Sequence, residues 1–212
     1  MQDGDFVQIE FVGRVKNTGE IFDLTDEALA KKEGVYQKES KYGPSLVIIG
    51  AKSVIPGVEE KIKGMKVGEE KEFEVSPADG FGSREPKLVQ ILSFTKFIQQ
   101  KVNPIPGAFV NIDGRNCKIQ SVSGGRVRVD FNHPLANKTL LYKLKIINEI
   151  KDATERVQGL LKYFGIEGNV KIETDKCEIA LKQKNKFIEK LLEDMVKKWI
   201  KEIKTISFTD KK

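Results

Sequence analysis

The run Leu46-Val47-Ile48-Ile49-Gly50-Ala51-Lys52-Ser53-Val54-Ile55-Pro56-Gly57-Val58-Glu59-Glu60-Lys61-Ile62-Lys63-Gly64 decides the architecture. Four consecutive apolar residues closed by a glycine read as a short buried strand. Pro56 near the first turn and Gly64 after the last then bound a short helix: proline's fixed φ suits a helical start, and glycine suits a helical stop. A strand thus passes through a small apolar loop, Val54-Ile55, into a helix with Val58 and Ile62 on one side.

Working outward, residues 5–15 alternate, with Phe6, Ile9, Phe11 and Val15 among polar positions, and Asn17-Thr18-Gly19 turns the chain back to Ile21-Phe22 as a hairpin. Residues 25–40 hold a short helix capped by Thr25 or Asp26 and stopped at Gly34. Lys71–Ser76 is a strand, and Pro77-Ala78-Asp79-Gly80-Phe81-Gly82 is a loop. Beyond Pro86 come a strand at 88–92 and a short helix at 93–101. Three strands over 109–131 are split by the hairpin signals Asp113-Gly114 and Gly124-Gly125. The last of them sets Val127, Val129 and Phe131 on one face against Arg126, Arg128 and Asp130 on the other. Asn132-His133-Pro134-Leu135-Ala136 interrupts before a long strand, Thr139–Ile150. Asp152 and Glu155 have capping-box spacing at the start of a helix that stops at Gly165. Strands at 170–173 and 177–181, a helix over 185–203 with an apolar stripe from Phe187 to Ile203, and a strand at 205–209 complete the chain.

Charge divides along these segments. The 212 residues carry 37 Lys or Arg and 31 Asp or Glu, a formal +6. Residues 1–85 hold 12 basic and 17 acidic residues, residues 86–131 hold 7 and 2, residues 132–150 hold 3 and 1, and residues 151–212 hold 15 and 11. The change of sign near residue 86 marks a domain boundary. No apolar run is long enough to span a membrane, and Met1–Asp5 lacks the cationic, apolar start of a signal peptide, so a soluble cytoplasmic protein is expected. Cys117 and Cys177 read as free thiols, Cys177 in a core and Cys117 half exposed. With His133 as the single histidine, no metal site and no Ser-His-Asp set is expected.

Five blocks stand in register with a known family. Gly4-Asp5-Phe6-Val7 with Phe11-Val12-Gly13, Gly19-Glu20-Ile21-Phe22-Asp23, Gly50 through Val54-Ile55-Pro56-Gly57-Val58-Glu59, Gly80-Phe81-Gly82, and Thr139-Leu140-Leu141-Tyr142 resemble the FKBP-type peptidyl-prolyl cis-trans isomerases. The stretch from Leu88 to Phe131 followed by Asn132-His133-Pro134-Leu135-Ala136 resembles the insert-in-flap domain of the SlyD-like branch, and the tail resembles the extra domain of long archaeal members. The resemblance implies an α+β fold: an antiparallel half-barrel sheet wrapped on a short helix, interrupted by a small β-rich domain and followed by an α/β sandwich-like domain. The implied domains are an isomerase domain at 1–85 and 132–150, an insert-in-flap chaperone domain at 86–131, and a C-terminal domain at 151–212.

The same resemblance implies a rotamase that accelerates X-Pro rotation in unfolded or nascent polypeptides, with chaperone activity from the insert and no cofactor. It places the catalytic residues at Asp23, Ile55, Phe81 and Tyr142, with Phe11, Phe22, Val54 and Val58 completing the pocket. The Ile55 backbone N–H is the implied donor to a substrate carbonyl. Phe11 and Phe81 stand where tyrosine is usual and Val58 where tryptophan is usual, which argues against tight binding of the macrolide inhibitor.

Leu88, Val89, Ile91, Phe94 and Phe97 are the implied chain-binding residues of the insert, against the plainer reading that they form its core. The Phe187–Ile203 stripe serves either as the core of the tail or as a homodimer surface. A holdase with little isomerase activity is the alternative function. Nucleic acid ranks last as a partner, because the basic residues are interspersed with acids and lack stacking aromatics.

Overall fold

Where hydrophobic alternation predicts strands, the backbone pairs into three sheets. The structure is a computed structural model describing residues 1–183 and 185–210. Strand β1 (Phe6–Val15) is the spine of the first sheet. Along its length it pairs antiparallel with β9 (Leu140–Ile150), while its other edge is shared by β3 (Ser45–Ile48) and β2 (Ile21–Leu24). Strand β4 (Glu70–Val75) closes the far side against β9. Helix α1 (Glu27–Lys32), capped by the Asp26 carboxylate on the Leu29 N–H, links β2 to β3. Helix α2 (Pro56–Lys63) lays Val58 and Ile62 on the sheet, in a core with Val7, Ile9, Val75, Leu144 and Ile146.

The second sheet follows β4. It has the order β5-β8-β7-β6, formed by β5 (Val89–Ser93), β6 (Phe109–Ile112), β7 (Arg115–Ser123) and β8 (Arg126–Asp130), with helix α3 (Phe94–Gln99) after β5. Both two-residue turns take the left-handed geometry their sequences predict, Asp113-Gly114 at φ 53° and 74° and Gly124-Gly125 at 54° and 72°. A separate core of Phe97, Ile112, Cys117, Ile119, Val127 and Val129 holds this sheet.

Helix α4 (Ala153–Tyr163), capped by Asp152, opens the third unit. Strands β10 (Gly168–Glu173), β11 (Lys176–Leu181) and β12 (Thr205–Asp210) form its sheet, with β12 parallel to β11 and helix α5 (Lys186–Trp199) between them. Its core takes in Phe6, Ile48 and Ile150 from the first sheet together with Val157, Leu160, Leu161, Leu192 and Val196. No described helix is long and apolar enough to cross a membrane.

Three expectations need correction, and one burial was not foreseen. The helix expected to run to Ile203 ends at Trp199, because Ile200 and Ile203 are buried from the following loop instead. Asp130, on the strand face it shares with Arg126 and Arg128, is only 6% exposed and is held by polar neighbours described below. Cys117 is buried, not half exposed, because β7 turns it into the second core. Phe97, expected to contact captured chains, is 0% exposed at the centre of that same core.

Candidate active site

Tyr142 organises the candidate site. On β9 it faces Gly13 of β1 on one side and Phe73 of β4 on the other. Gly13 has no side chain, and that space is filled by the ring of Phe22, whose Cζ lies 2.5 Å from where a Cβ would be. Phe22 therefore meets Tyr142 edge-on at 5.7 Å, Phe11 lies 5.9 Å away, and Phe73 stacks at 6.0 Å. Enclosed by three rings, Tyr142 is 7% exposed. Burial, reinforced by the charge of Asp23, pushes its phenol up to about 12, so it is neutral at physiological pH.

The polypeptide around this tyrosine is fastened by local bonds. Thr25 Oγ1 accepts the Phe11 N–H at 2.9 Å, and the Thr25 N–H donates to the Phe11 carbonyl at 3.0 Å, which fixes the end of β2 beside Phe11. The loop before α2 is pinned at Ser53, whose hydroxyl accepts from the Ile48 N–H and donates to the Ile48 carbonyl. Glu59 accepts the Gly50 N–H at 3.2 Å. At the helix start, Gly57 lies so close to Val75 and Asp79 that a Cβ would stand 2.7 Å from a Val75 methyl; its N–H donates to the Asp79 carbonyl. Ile55 caps α2 with φ −63° and ψ 149°, and among the described residues none accepts a hydrogen bond from its N–H.

Between these walls lies a cleft of about 740 Å³. Seven of the eight pocket residues expected from the sequence line it: Phe11, Asp23, Val54, Ile55, Val58, Phe81 and Tyr142. Phe22 stands behind, holding Tyr142. Ile9, Ser45, Lys52, Ser53, Pro56 and Glu59 also line the cleft and were not expected. Neither was the Phe73 support, although its alternation on β4 is a signal that it shares a face with the core. Asp23 is exposed on the strand yet borders this apolar cleft, and desolvation of its carboxyl raises its pKa, opposed by the Leu24 N–H.

The insert joins the site at its rim. Glu85 and Asn132, at the two crossings, exchange hydrogen bonds of 2.8 and 3.1 Å. Asp130 accepts from the Asn132 backbone and side chain and from Gln120, and pairs with Arg84. His133 then stacks on Phe81 of the cleft. Leu88, Val89, Ile91 and Phe94 lie on the insert, away from the cleft lining.

The cleft is mainly aromatic and aliphatic; of its two carboxylates Glu59 accepts the Gly50 N–H, and the Ser53 hydroxyl is bonded to the Ile48 backbone, an arrangement that suits rotation of a bond better than its cleavage. Relatives agree. Residues 1–94 match the family model for the FKBP-type peptidyl-prolyl cis-trans isomerases, and residues 90–135 match a model described as the IF domain of FKBP26. A short-type peptidyl-prolyl cis-trans isomerase of Methanocaldococcus jannaschii is 34% identical over 143 residues, 68% of this chain and 90% of its own. The chain belongs to the FKBP-type peptidyl-prolyl cis-trans isomerases. It is a rotamase. Among other members of this family, a 16 kDa FKBP-type isomerase of Escherichia coli K12 is 34% identical, covering 53% of this chain and 77% of its own. SlyD of Helicobacter pylori is 29% identical over 49% of this chain and 58% of its own.

Proposed function

We propose that this isomerase couples X-Pro rotation to capture of unfolded chains: the half-barrel body at 1–85 and 132–150 carries the reaction, the insert at 86–131 binds the chain, and a C-terminal domain follows at 151–212. Rotation about an X-Pro bond is opposed by amide resonance, with a barrier of about 20 kcal/mol and an uncatalysed time of tens of seconds. No covalent step is needed. An imide moved from water into the cleft loses the solvation that favours its planar, charge-separated form, so the twisted conformer gains relative to it. The proline ring seats on Phe11, Val54, Val58, Phe81 and Tyr142. The Ile55 N–H donates to a substrate carbonyl, and Asp23 is the polar wall facing the twisting bond. A thousandfold acceleration asks about 4 kcal/mol of this differential binding.

The observation that supports capture is where the insert's exposed apolar side chains lie. Ile91, 66% exposed, is on edge strand β5, and Phe109, 60% exposed, is on edge strand β6. Unpaired edges flanked by apolar side chains offer backbone bonds to any sequence, with pockets for alternate residues. An unfolded chain held there raises the concentration of its X-Pro bonds at the cleft. The test is the double variant Ile91→Lys/Phe109→Lys of the full chain, assayed for binding to a permanently unfolded protein. Binding is expected to fall about tenfold or more, since each change removes an apolar contact and adds a charge; unchanged binding contradicts the capture role.

A further inference from the structure

The proline cleft does not end at the isomerase body. Three of its lining residues, Phe11, Asp23 and Ser45, also line an adjoining recess of about 310 Å³ whose far wall is Lys162 and Tyr163 of α4. That recess shares Lys41, Gly159 and Lys162 with a groove of about 990 Å³ running on past Glu155 and Gln158. Linked by these shared residues, the three cavities adjoin in a row, a trough whose outer two parts have a wall from the third unit.

The wall is fixed in place. Arg156 Nε donates to the Ile150 carbonyl at 2.9 Å, and Val157, Leu160 and Leu161 share a core with Phe6, Ile48 and Ile150. Gly159 lets Leu46 approach to 3.2 Å from where a Cβ would stand, so helix and body are in close contact. Lys41 and Lys162, which border both recess and groove, form no ion pair with a described residue. The acids bordering them are Asp23 in the recess and, in the groove, Glu155 at the start of α4 and Glu167, which pairs with Lys182.

We infer that this trough is an extended subsite for the polypeptide segment flanking the isomerised proline, and that Lys41 and Lys162 select acidic residues in that segment. The inference rests on the cleft being the proline pocket, with which the trough is continuous. A tetrapeptide spans the cleft alone; a longer chain lies along α4. The third unit thereby acts on the same substrate molecule as the cleft.

The test compares X-Pro peptides of about ten residues carrying two Glu or two Lys on either flank, by NMR exchange kinetics on the full chain and on Lys41→Glu/Lys162→Glu. For one flank, the Glu peptide is expected to exceed the Lys peptide in kcat/KM by about three- to tenfold, with the order inverted in the variant and the difference lost at high salt. A ratio equal in both proteins overturns the subsite. Phe81→Ala, which alters the cleft and neither the recess nor the groove, separates the two readings. If it lowers turnover of every peptide while the lysine variant leaves the ratio unmoved, the subsite alone fails. If it changes nothing, the proline-pocket reading fails and the subsite with it.

Discussion

The imidazole of His133 lies flat on the ring of Phe81, their centroids 4.2 Å apart and their planes 1° from parallel. One ring lines the cleft and the other sits where the chain returns from the second sheet to the first, so the junction between them is a direct contact. His133 Nδ1 accepts the Leu135 N–H at 3.1 Å, which requires that nitrogen to be unprotonated, and partial burial holds the imidazole below its ordinary 6.5.

As pH falls through about 6.5, the unfolded chain therefore takes up the proton before the folded one does. This contribution to stability is complete above that pH and declines below it. Because His133 is the only histidine, its ring signal can be followed without assignment by mutation. NMR titration is expected to give a pKa below 6.5; a value at or above it removes the claim.

Gly13→Ala places a methyl in the volume of the Phe22 ring. Displacing that ring costs about 1–3 kcal/mol in urea unfolding and releases the edge of Tyr142, so turnover of a short peptide is expected to fall with stability. Retention of both wild-type values would show that Phe22 has room to move aside.

Ile55→Pro keeps a φ that proline adopts, since Ile55 already sits at −63°, but removes the N–H. Ile55→Ala removes the side chain and keeps the N–H. The proline variant is expected to lose at least about tenfold more kcat/KM than the alanine variant, the loss of one preorganised donor. Equal losses assign the role of Ile55 to its side chain alone.

Asp130→Ala leaves Arg84, Gln120 and Asn132 without their common acceptor. The expected cost is about 1–3 kcal/mol by denaturant unfolding, from the unpaired Gln120 and Asn132 groups, since Arg84 is half exposed and regains water. Asp130→Asn, which keeps an acceptor oxygen, should recover part of it.

Thiol reagents report on the other two cores. Burial pushes the Cys177 thiol up to about 11 and also raises Cys117. Since the thiolate is the reacting form, neither is expected to react in the folded protein at pH 8, and both should react in urea. Fast labelling of the native protein contradicts the packing described for them.

Much of this was legible in the sequence for a physical reason. Turns and caps are local: Asp113-Gly114, Gly124-Gly125 and the Asp152–Glu155 spacing each fix their geometry within a few residues. Seven of the thirteen residues lining the cleft were legible through their motifs; Ile9, Ser45, Lys52, Ser53, Pro56 and Glu59 were not. Phe97 was misread because an aromatic in a small domain has the same composition signal whether it is buried or displayed, and only the fold of β6 to β8 over α3 separates the two. The burial of Asp130 was not legible, because strand alternation predicts its face but not the Arg84 and Asn132 groups that the chain crossing brings to it. The trough along α4 was not legible at all, since Lys41 and Lys162 are 121 residues apart.

Glu85 and Asn132 hydrogen-bond across the base of the insert at 2.8 Å, so residues 86–131 can be excised and the ends rejoined by a short turn. The most direct measurement is kcat/KM on an X-Pro tetrapeptide and on a slow-refolding protein, for the full chain and for this deletion. Capture and delivery by the insert predict that tetrapeptide turnover stays within a few-fold of the full chain while catalysis of refolding drops by about a hundredfold, the scale of a lost second binding site. Equal losses on the two substrates would contradict the coupling.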